Sequence, residues 1–197
     1  MTATSEANGA TVGVLNVQGA VSEHMDAVHA AGGKALAVKQ PADLSRVDAL
    51  IIPGGESTTI GRLIRRYELF EPIRERAAAG MPVFGTCAGM ILLAKRLVTD
   101  EEPHLGLLDA VVNRNSFGRQ RESFEADVDV VGLDGGPFSA VFIRAPHAET
   151  VGTDVEVLAT YDNRIVAVRQ GAILATSFHP ELTPDVRMHR LFLDMIA

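Results

Sequence analysis

The stretch Met81-Pro82-Val83-Phe84-Gly85-Thr86-Cys87-Ala88-Gly89-Met90 constrains this chain more than any other. Met81 to Phe84 is a short apolar run that reads as a buried strand, and Ile91 to Leu97 reads as a helix with an apolar stripe. Between them sits Cys87, the single cysteine of the sequence, flanked by Gly85 and Gly89. A strand that turns sharply into a helix, with a sulfur at the apex and glycines beside it, has the pattern of a nucleophile elbow. Glycine suits a backbone that folds back too tightly for a Cβ. Such a bend lifts the sulfur out of the sheet and leaves the N–H of Ala88 at the helix start, where it can stabilise a developing oxyanion. The helix N-terminus favours thiolate over thiol. A lone cysteine is more often a small buried hydrophobe, so the case for chemistry depends on partners elsewhere in the chain.

The flanking sequence alternates between strand and helix patterns. Thr11 to Val17 is β-branched and apolar, a first strand, and Gln18-Gly19-Ala20 turns the chain. Ser22 is placed to cap a helix through Ala31, with Glu23 at its positive end and Gly32-Gly33 as its stop. Strands follow at Ala35 to Val38 and Asp48 to Ile52, and helices at Thr58 to Tyr67 and Phe70 to Ala79. This order predicts a three-layer αβα, flavodoxin-like fold with a mostly parallel sheet. Sites in such sheets lie at the carboxyl ends of strands, where both Gly54-Gly55 and Cys87 fall. After Asp109 the pattern changes to short alternating strands at Ala110 to Val112, Ala126 to Val131, Val141 to Ile143, Val155 to Tyr161, Ile165 to Arg169 and Ile173 to Ser177. Turn formers such as Asp134-Gly135-Gly136-Pro137 separate them, so they are expected as antiparallel additions at one sheet edge. A last helix is expected over Pro184 to Met195.

With 197 residues, 47% hydrophobic and 22% charged, the expected organisation is one domain over 11–197, preceded by a frayed tail over 1–10. A net charge of −7 argues against a nucleic-acid surface, and no apolar run approaches a membrane span. A single cysteine cannot form an internal disulfide, which points to a reducing cytoplasm.

His179, in Ser177-Phe178-His179-Pro180-Glu181, follows the last strand and can reach a crevice at its end. Glu181, just beyond, can turn back to hold the imidazole and fix its tautomer. Taken alone this is a surface turn; with Cys87 it completes a Cys-His-Glu set. Gly55 is the best-placed second oxyanion donor, and Glu56 and Ser57 either bind polar ends of a substrate or cap the next helix. Arg114, in Arg114-Asn115-Ser116-Phe117-Gly118-Arg119-Gln120, and Arg144, in Phe142-Ile143-Arg144-Ala145-Pro146-His147, are candidate guanidiniums for a substrate carboxylate. His24, His29, His104, His147 and His189 lack paired-ligand spacing, so neither a metal nor a cofactor is expected.

Gly85-Thr86-Cys87-Ala88-Gly89 together with His179-Pro180-Glu181 resembles the class I (triad) glutamine amidotransferases. Leu15 to Ala20, Pro53 to Thr59, Arg114 to Gln120 and Phe142 to His147 narrow the resemblance to the glutaminase subunits of two-component pyridoxal 5′-phosphate synthases, from about Thr11 to the C-terminus. The resemblance implies that Cys87 is the nucleophile, His179 the acid and base and Glu181 its partner. It implies an oxyanion hole from the N–H groups of Gly55 and Ala88, and an L-glutamine site lined by Gly55, Glu56, Ser57, Arg114, Ile143 and Arg144. It also implies a synthase partner that receives ammonia, forms a ring-shaped core with glutaminase subunits outside it, and raises glutaminase activity on docking. Gln18 and the helix after it are expected at that interface. A cysteine peptidase or γ-glutamyl hydrolase on the same architecture, and a non-catalytic flavodoxin-like binding module, are the competing expectations.

Overall fold

The computed structural model describes residues 9–99, 104–114, 116–117 and 122–196. The expected tail lies outside them apart from Gly9 and Ala10, as do Asn115, Gly118, Arg119 and Gln120 of the arginine-bearing segment. The first half alternates as anticipated, with the short α2 in addition: β1 (Thr11–Leu15), α1 (Val21–Ala30), β2 (Lys34–Val38), α2 (Pro41–Leu44), β3 (Ala49–Ile52), α3 (Ser57–Arg66), α4 (Phe70–Ala78), β4 (Val83–Thr86) and α5 (Ala88–Leu93). The second half runs β5 (Ala94–Leu97), β6 (Leu108–Asn113), β7 (Ser123–Val128), β8 (Phe138–Ile143), β9 (His147–Val151), β10 (Glu156–Tyr161), β11 (Arg164–Gln170), β12 (Ile173–Thr176), a 3₁₀ turn (Pro180–Leu182) and α6 (Arg187–Leu193). Among the described residues no helix is long and apolar enough to cross a membrane.

The main sheet has the order β2-β1-β3-β4-β12-β11-β9-β6-β5, with β10 paired to β11. From β2 to β12 every pairing is parallel. Beyond β12 the steps to β11, β9 and β6 are antiparallel, and β5 joins β6 in parallel. Strands buried on both faces read as unbroken apolar runs. In β3, Ala49 and Ile51 join the core on one face while Leu50 and Ile52 join the core on the other. One face is covered by α3, α4 and α5 through residues such as Ile60, Ile73 and Leu92. The opposite face is covered by α1 and α6, with Val28, Met188 and Phe192, and by the β7–β8 hairpin, with Phe138 and Phe142.

Four expectations need correction. The strand at Ile173 is not an edge addition: β12 lies in the centre, parallel to β4, with Thr176 opposite Thr86. Its four residues are all buried, which is what a central parallel strand requires. The β7–β8 hairpin does not extend the main sheet but forms a separate antiparallel pair. The helix after Cys87 ends at Leu93, and the backbone becomes extended at Ala94 to make β5, which pairs with β6. An unbroken apolar run carries no period that separates helix from strand. At α1, Ser22 is not the cap: Ala20 occupies that position, and the Ser22 hydroxyl donates to Glu23 at 2.9 Å.

The glycines beside Cys87 are required by close approach. A Cβ on Gly85 would lie 2.6 Å from the Gly89 carbonyl carbon and from Leu93 Cδ1, and a Cβ on Gly89 would overlap the Ile52 carbonyl oxygen. Backbone cannot step aside as a flexible side chain can. We expect Gly89→Ala to lower stability by about 1–3 kcal/mol, read as a reduced urea midpoint at unchanged slope, whereas alanine at open Gly171 will not produce an overlap-driven loss of this kind.

Candidate active site

The β4–β12 pairing assembles the site. Both strands end at the same level, Thr86 against Thr176, and the Cys87 N–H donates to the Thr176 carbonyl at 2.8 Å. Cys87 therefore leaves β4 beside the segment that carries His179. The bend places Cys87 at φ 50° and ψ −106°, a region that side chains rarely occupy. Strain of this kind persists only where the surroundings enforce it, and it concentrates at functional sites. Arg144 is held in a similar way at φ 42°, with its N–H donating to the Glu122 carbonyl at 2.6 Å. The His179 N–H donates to the Val141 carbonyl at 2.8 Å, which ties the β8 end and its Ile143-Arg144 corner to the histidine.

His179 Nδ1 stands 2.7 Å from Glu181 Oε1, and the Glu181 side chain is fully buried. This fixes the tautomer: Nδ1–H donates to the carboxylate, and Nε2 is left toward Cys87. Nε2 makes no hydrogen bond of ordinary geometry. Burial opposes charging the ring, but the Cys87 sulfur beside it and the Glu181 carboxylate outweigh that effect and raise its pKa to about 10. Contacts between catalytic groups are commonly loose before substrate binds. For Glu181, burial pushes the pKa up, while the hydrogen bond from His179 and the nearby His24 prevail and lower it.

A cavity of about 580 Å³ opens over Cys87, Ala88 and His179. Its walls include Gly55, Glu56, Ser57, Arg114, Ile143 and Arg144, so the structure brings every anticipated substrate-facing residue to one place. Glu181 stands behind His179 and does not line the cavity. Gln18 and Ile91 also line it. Ile91 sits one helical turn after Ala88, so the spacing could have revealed it.

The Gly54-Gly55 loop is shaped from both sides. A Cβ on Gly54 would overlap the His179 ring, and one on Gly55 would lie 2.7 Å from Gln18 Oε1. Gln18 Oε1 accepts from the Glu56 N–H at 2.9 Å, so the turn after β1 fixes the loop after β3. The Glu56 side chain caps α3, accepting from the N–H groups of Thr58 at 3.1 Å and Thr59 at 2.7 Å. The Thr59 hydroxyl, followed by these amides, holds its pKa at about 2 against the opposing effect of burial. Arg114 donates to the Ser57 hydroxyl at 2.8 Å and to the Thr58 hydroxyl at 3.1 Å, and lies 3.5 Å from Glu56 Oε1. Arg144 is exposed at the rim.

The family model described as "SNO glutamine amidotransferase family" matches residues 14–197. The protein named pyridoxal 5′-phosphate synthase subunit PdxT of Geobacillus thermodenitrificans is 60% identical over 185 residues, 94% of this chain and 94% of that protein. The protein of the same name from Acidothermus cellulolyticus is 56% identical over 202 residues, 98% of this chain and 97% of its own. A crystal structure described as a glutamine amidotransferase superposes with a TM-score of 0.89 at 52% identity, covering 94% of this chain and 98% of that one. A chain of PurLQS from Thermotoga maritima superposes with a TM-score of 0.69 at 19% identity, over 95% of this chain and 99% of that one, and speaks for the fold alone.

The raised pKa of His179 makes stability depend on pH. Its folded-state value of about 10 lies above the ordinary 6.5, so the stabilisation is complete below about 6.5 and is lost as pH rises toward 10. We expect Cys87→Ser to bring the His179 titration, followed by NMR of the ring, well below 10 and to flatten the pH dependence of stability across that window.

Proposed function

The chain belongs to the SNO glutamine amidotransferase family, and on that premise we propose that it is the glutaminase subunit of a pyridoxal 5′-phosphate synthase. The observation that carries this reading is the convergence of Cys87 and His179 at the shared end of β4 and β12, under a cavity walled by Gly55 and Arg114.

The Cys87 thiolate attacks the side-chain amide carbon of L-glutamine. Charge moves to the amide oxygen, which the N–H groups of Gly55 and Ala88 receive as the oxyanion hole; each such donor contributes about 3–4 kcal/mol to the barrier reduction. His179, protonated and held by Glu181, gives its proton to the departing ammonia. A thioester remains on Cys87. Water, deprotonated by His179, attacks it and releases L-glutamate, which restores the thiolate–imidazolium pair. The balance is glutamine plus water to glutamate plus ammonia.

Glu56 and Ser57 present their backbone to the amino-acid end of the substrate, Arg114 and Arg144 supply guanidiniums for its α-carboxylate, and Ile143 lines the same cavity. The strain at Arg144 sets that corner. The residues from Thr11 onward act as one glutaminase domain.

Ammonia released into water would become ammonium, so a nitrogen donor requires a shielded acceptor. The relatives are named as subunits of a pyridoxal 5′-phosphate synthase, which supports reading another subunit of such a complex as the acceptor. We place that partner in a ring-shaped hetero-oligomer in the cytoplasm, with Gln18 at the contact. Gln18 fits the role because it holds the Glu56 N–H and hence the oxyanion loop.

The test is a glutaminase assay with and without the synthase subunit. Wild type should be active and strongly raised by the partner, and Cys87→Ala should lose at least about a thousandfold in kcat. Arg114→Ala and Arg144→Ala should each raise the glutamine KM by about tenfold or more while kcat changes less. Retained activity in Cys87→Ala would refute the proposal.

A further inference from the structure

Behind the triad carboxylate lies a second pair of imidazoles that the reaction does not use. His24 on α1 and His189 on α6 are 0% and 1% exposed. His24 Nε2 lies 3.0 Å from Thr86 Oγ1 and 3.4 Å from Glu181 Oε2, the carboxylate oxygen that His179 does not take. His24 Nδ1 lies 3.0 Å from His189 Nε2. Glu181 Oε2 is buried and makes no hydrogen bond of ordinary geometry, and neither does His189 Nδ1.

Elimination places the protons. Two ring nitrogens 3.0 Å apart must share one hydrogen. If His24 Nδ1 carried it, the Nε2 lone pair of His24 would face a carboxylate oxygen. His189 would then hold its own hydrogen on Nδ1, a buried donor without a partner. In the opposite arrangement His189 Nε2–H donates to His24 Nδ1, and His24 Nε2–H points to Thr86 Oγ1 and Glu181 Oε2. The only unpaired atom on the two rings is then a ring lone pair, which is the smaller cost. Both rings are pushed toward the neutral form, chiefly by burial. The charged or titratable groups around His24 are Glu181, His179, Glu23 and His189. A neutral donor holds Glu181 without placing a second cation in competition with the His179 imidazolium.

We propose that His24 is a positioning residue for the triad, its Nε2–H steadying the outer oxygen of Glu181 while His189 fixes the His24 ring. Orientation of a catalytic group by the polar contacts behind it is a general requirement of precise sites. His24 also rides on the helix that follows Gln18 and Gly19, so the turn after β1 and the helix it leads into together support the oxyanion loop and the triad acid.

The inference rests on the triad assignment, and glutamine is the probe that separates the two. A glutamine side chain can return an N–H to the place of Nε2, whereas asparagine reaches only the place of Nδ1. In the synthase-activated assay, His24→Asn and His24→Leu should lower kcat by about ten- to hundredfold with the glutamine KM within about twofold, and His24→Gln should recover most of the loss. His179 should titrate lower in the Asn and Leu variants and return toward its wild-type value in Gln. Should His24→Leu fail to fold, the Asn–Gln comparison decides. Equal activity of folded His24→Asn and His24→Gln, or an unshifted His179 titration in His24→Asn, overturns the positioning role while leaving the triad intact. An active Cys87→Ala overturns both.

Discussion

The parallel pairing of β4 with β12 is the constraint on which the rest depends. Residues 83–86 and 173–176 are far apart in sequence, yet their register puts Thr86 opposite Thr176. That single alignment brings a sulfur and an imidazole from opposite halves of the chain to one end of the sheet. The bend at Cys87, the close glycines and the Val141 contact to the His179 backbone all adjust a juxtaposition that the strand pairing has already made. The strain at Cys87 is tolerable because both strands are fully buried, so the surroundings hold the chain where it would not otherwise stay.

Charge is organised in layers outward from the core. The Glu181 side chain is buried, and its negative charge is tied to a histidine that keeps its proton to high pH. The imidazole and the carboxylate thus form a pair in which each group sustains the charged state of the other. The cavity above carries a different balance: Glu56 is engaged in capping α3, and Arg114 is braced by Ser57 and Thr58. Braced cations lose little freedom when they meet a carboxylate, which is what a selective amino-acid site needs.

Much of this was legible in the sequence, for identifiable reasons. Cys87 stood out because its glycines mark a backbone that must pass close to other backbone, and Gly85 and Gly89 do so. His179 and Glu181 were legible because a turn after a strand points at a sheet edge. What escaped was pairing. Ile173 to Thr176 reads as a strand wherever it lies, and nothing local says that it will insert beside β4 with its neighbours on the far side. The boundary at Leu93 escaped because Leu92, Leu93 and Ala94 are all buried, so burial shows no period there. The short α2 and the strand β9 lacked the length that makes a pattern visible. The burial of His24 and His189 beside Glu181 escaped because each ring looks ordinary on its own helix; only the packing of α1 and α6 on the same face puts them together.

The most direct measurement of the central claim is covalent. 6-Diazo-5-oxo-L-norleucine, a glutamine analogue with an electrophilic carbon at the amide position, should label the protein at one site, and peptide mapping by mass should place the adduct on Cys87. A crystal structure of the adduct should show its carbonyl oxygen within hydrogen-bond reach of the Gly55 and Ala88 N–H groups. An adduct on another residue, or a Cys87 thiol left intact by excess reagent in the partner complex, would contradict the account.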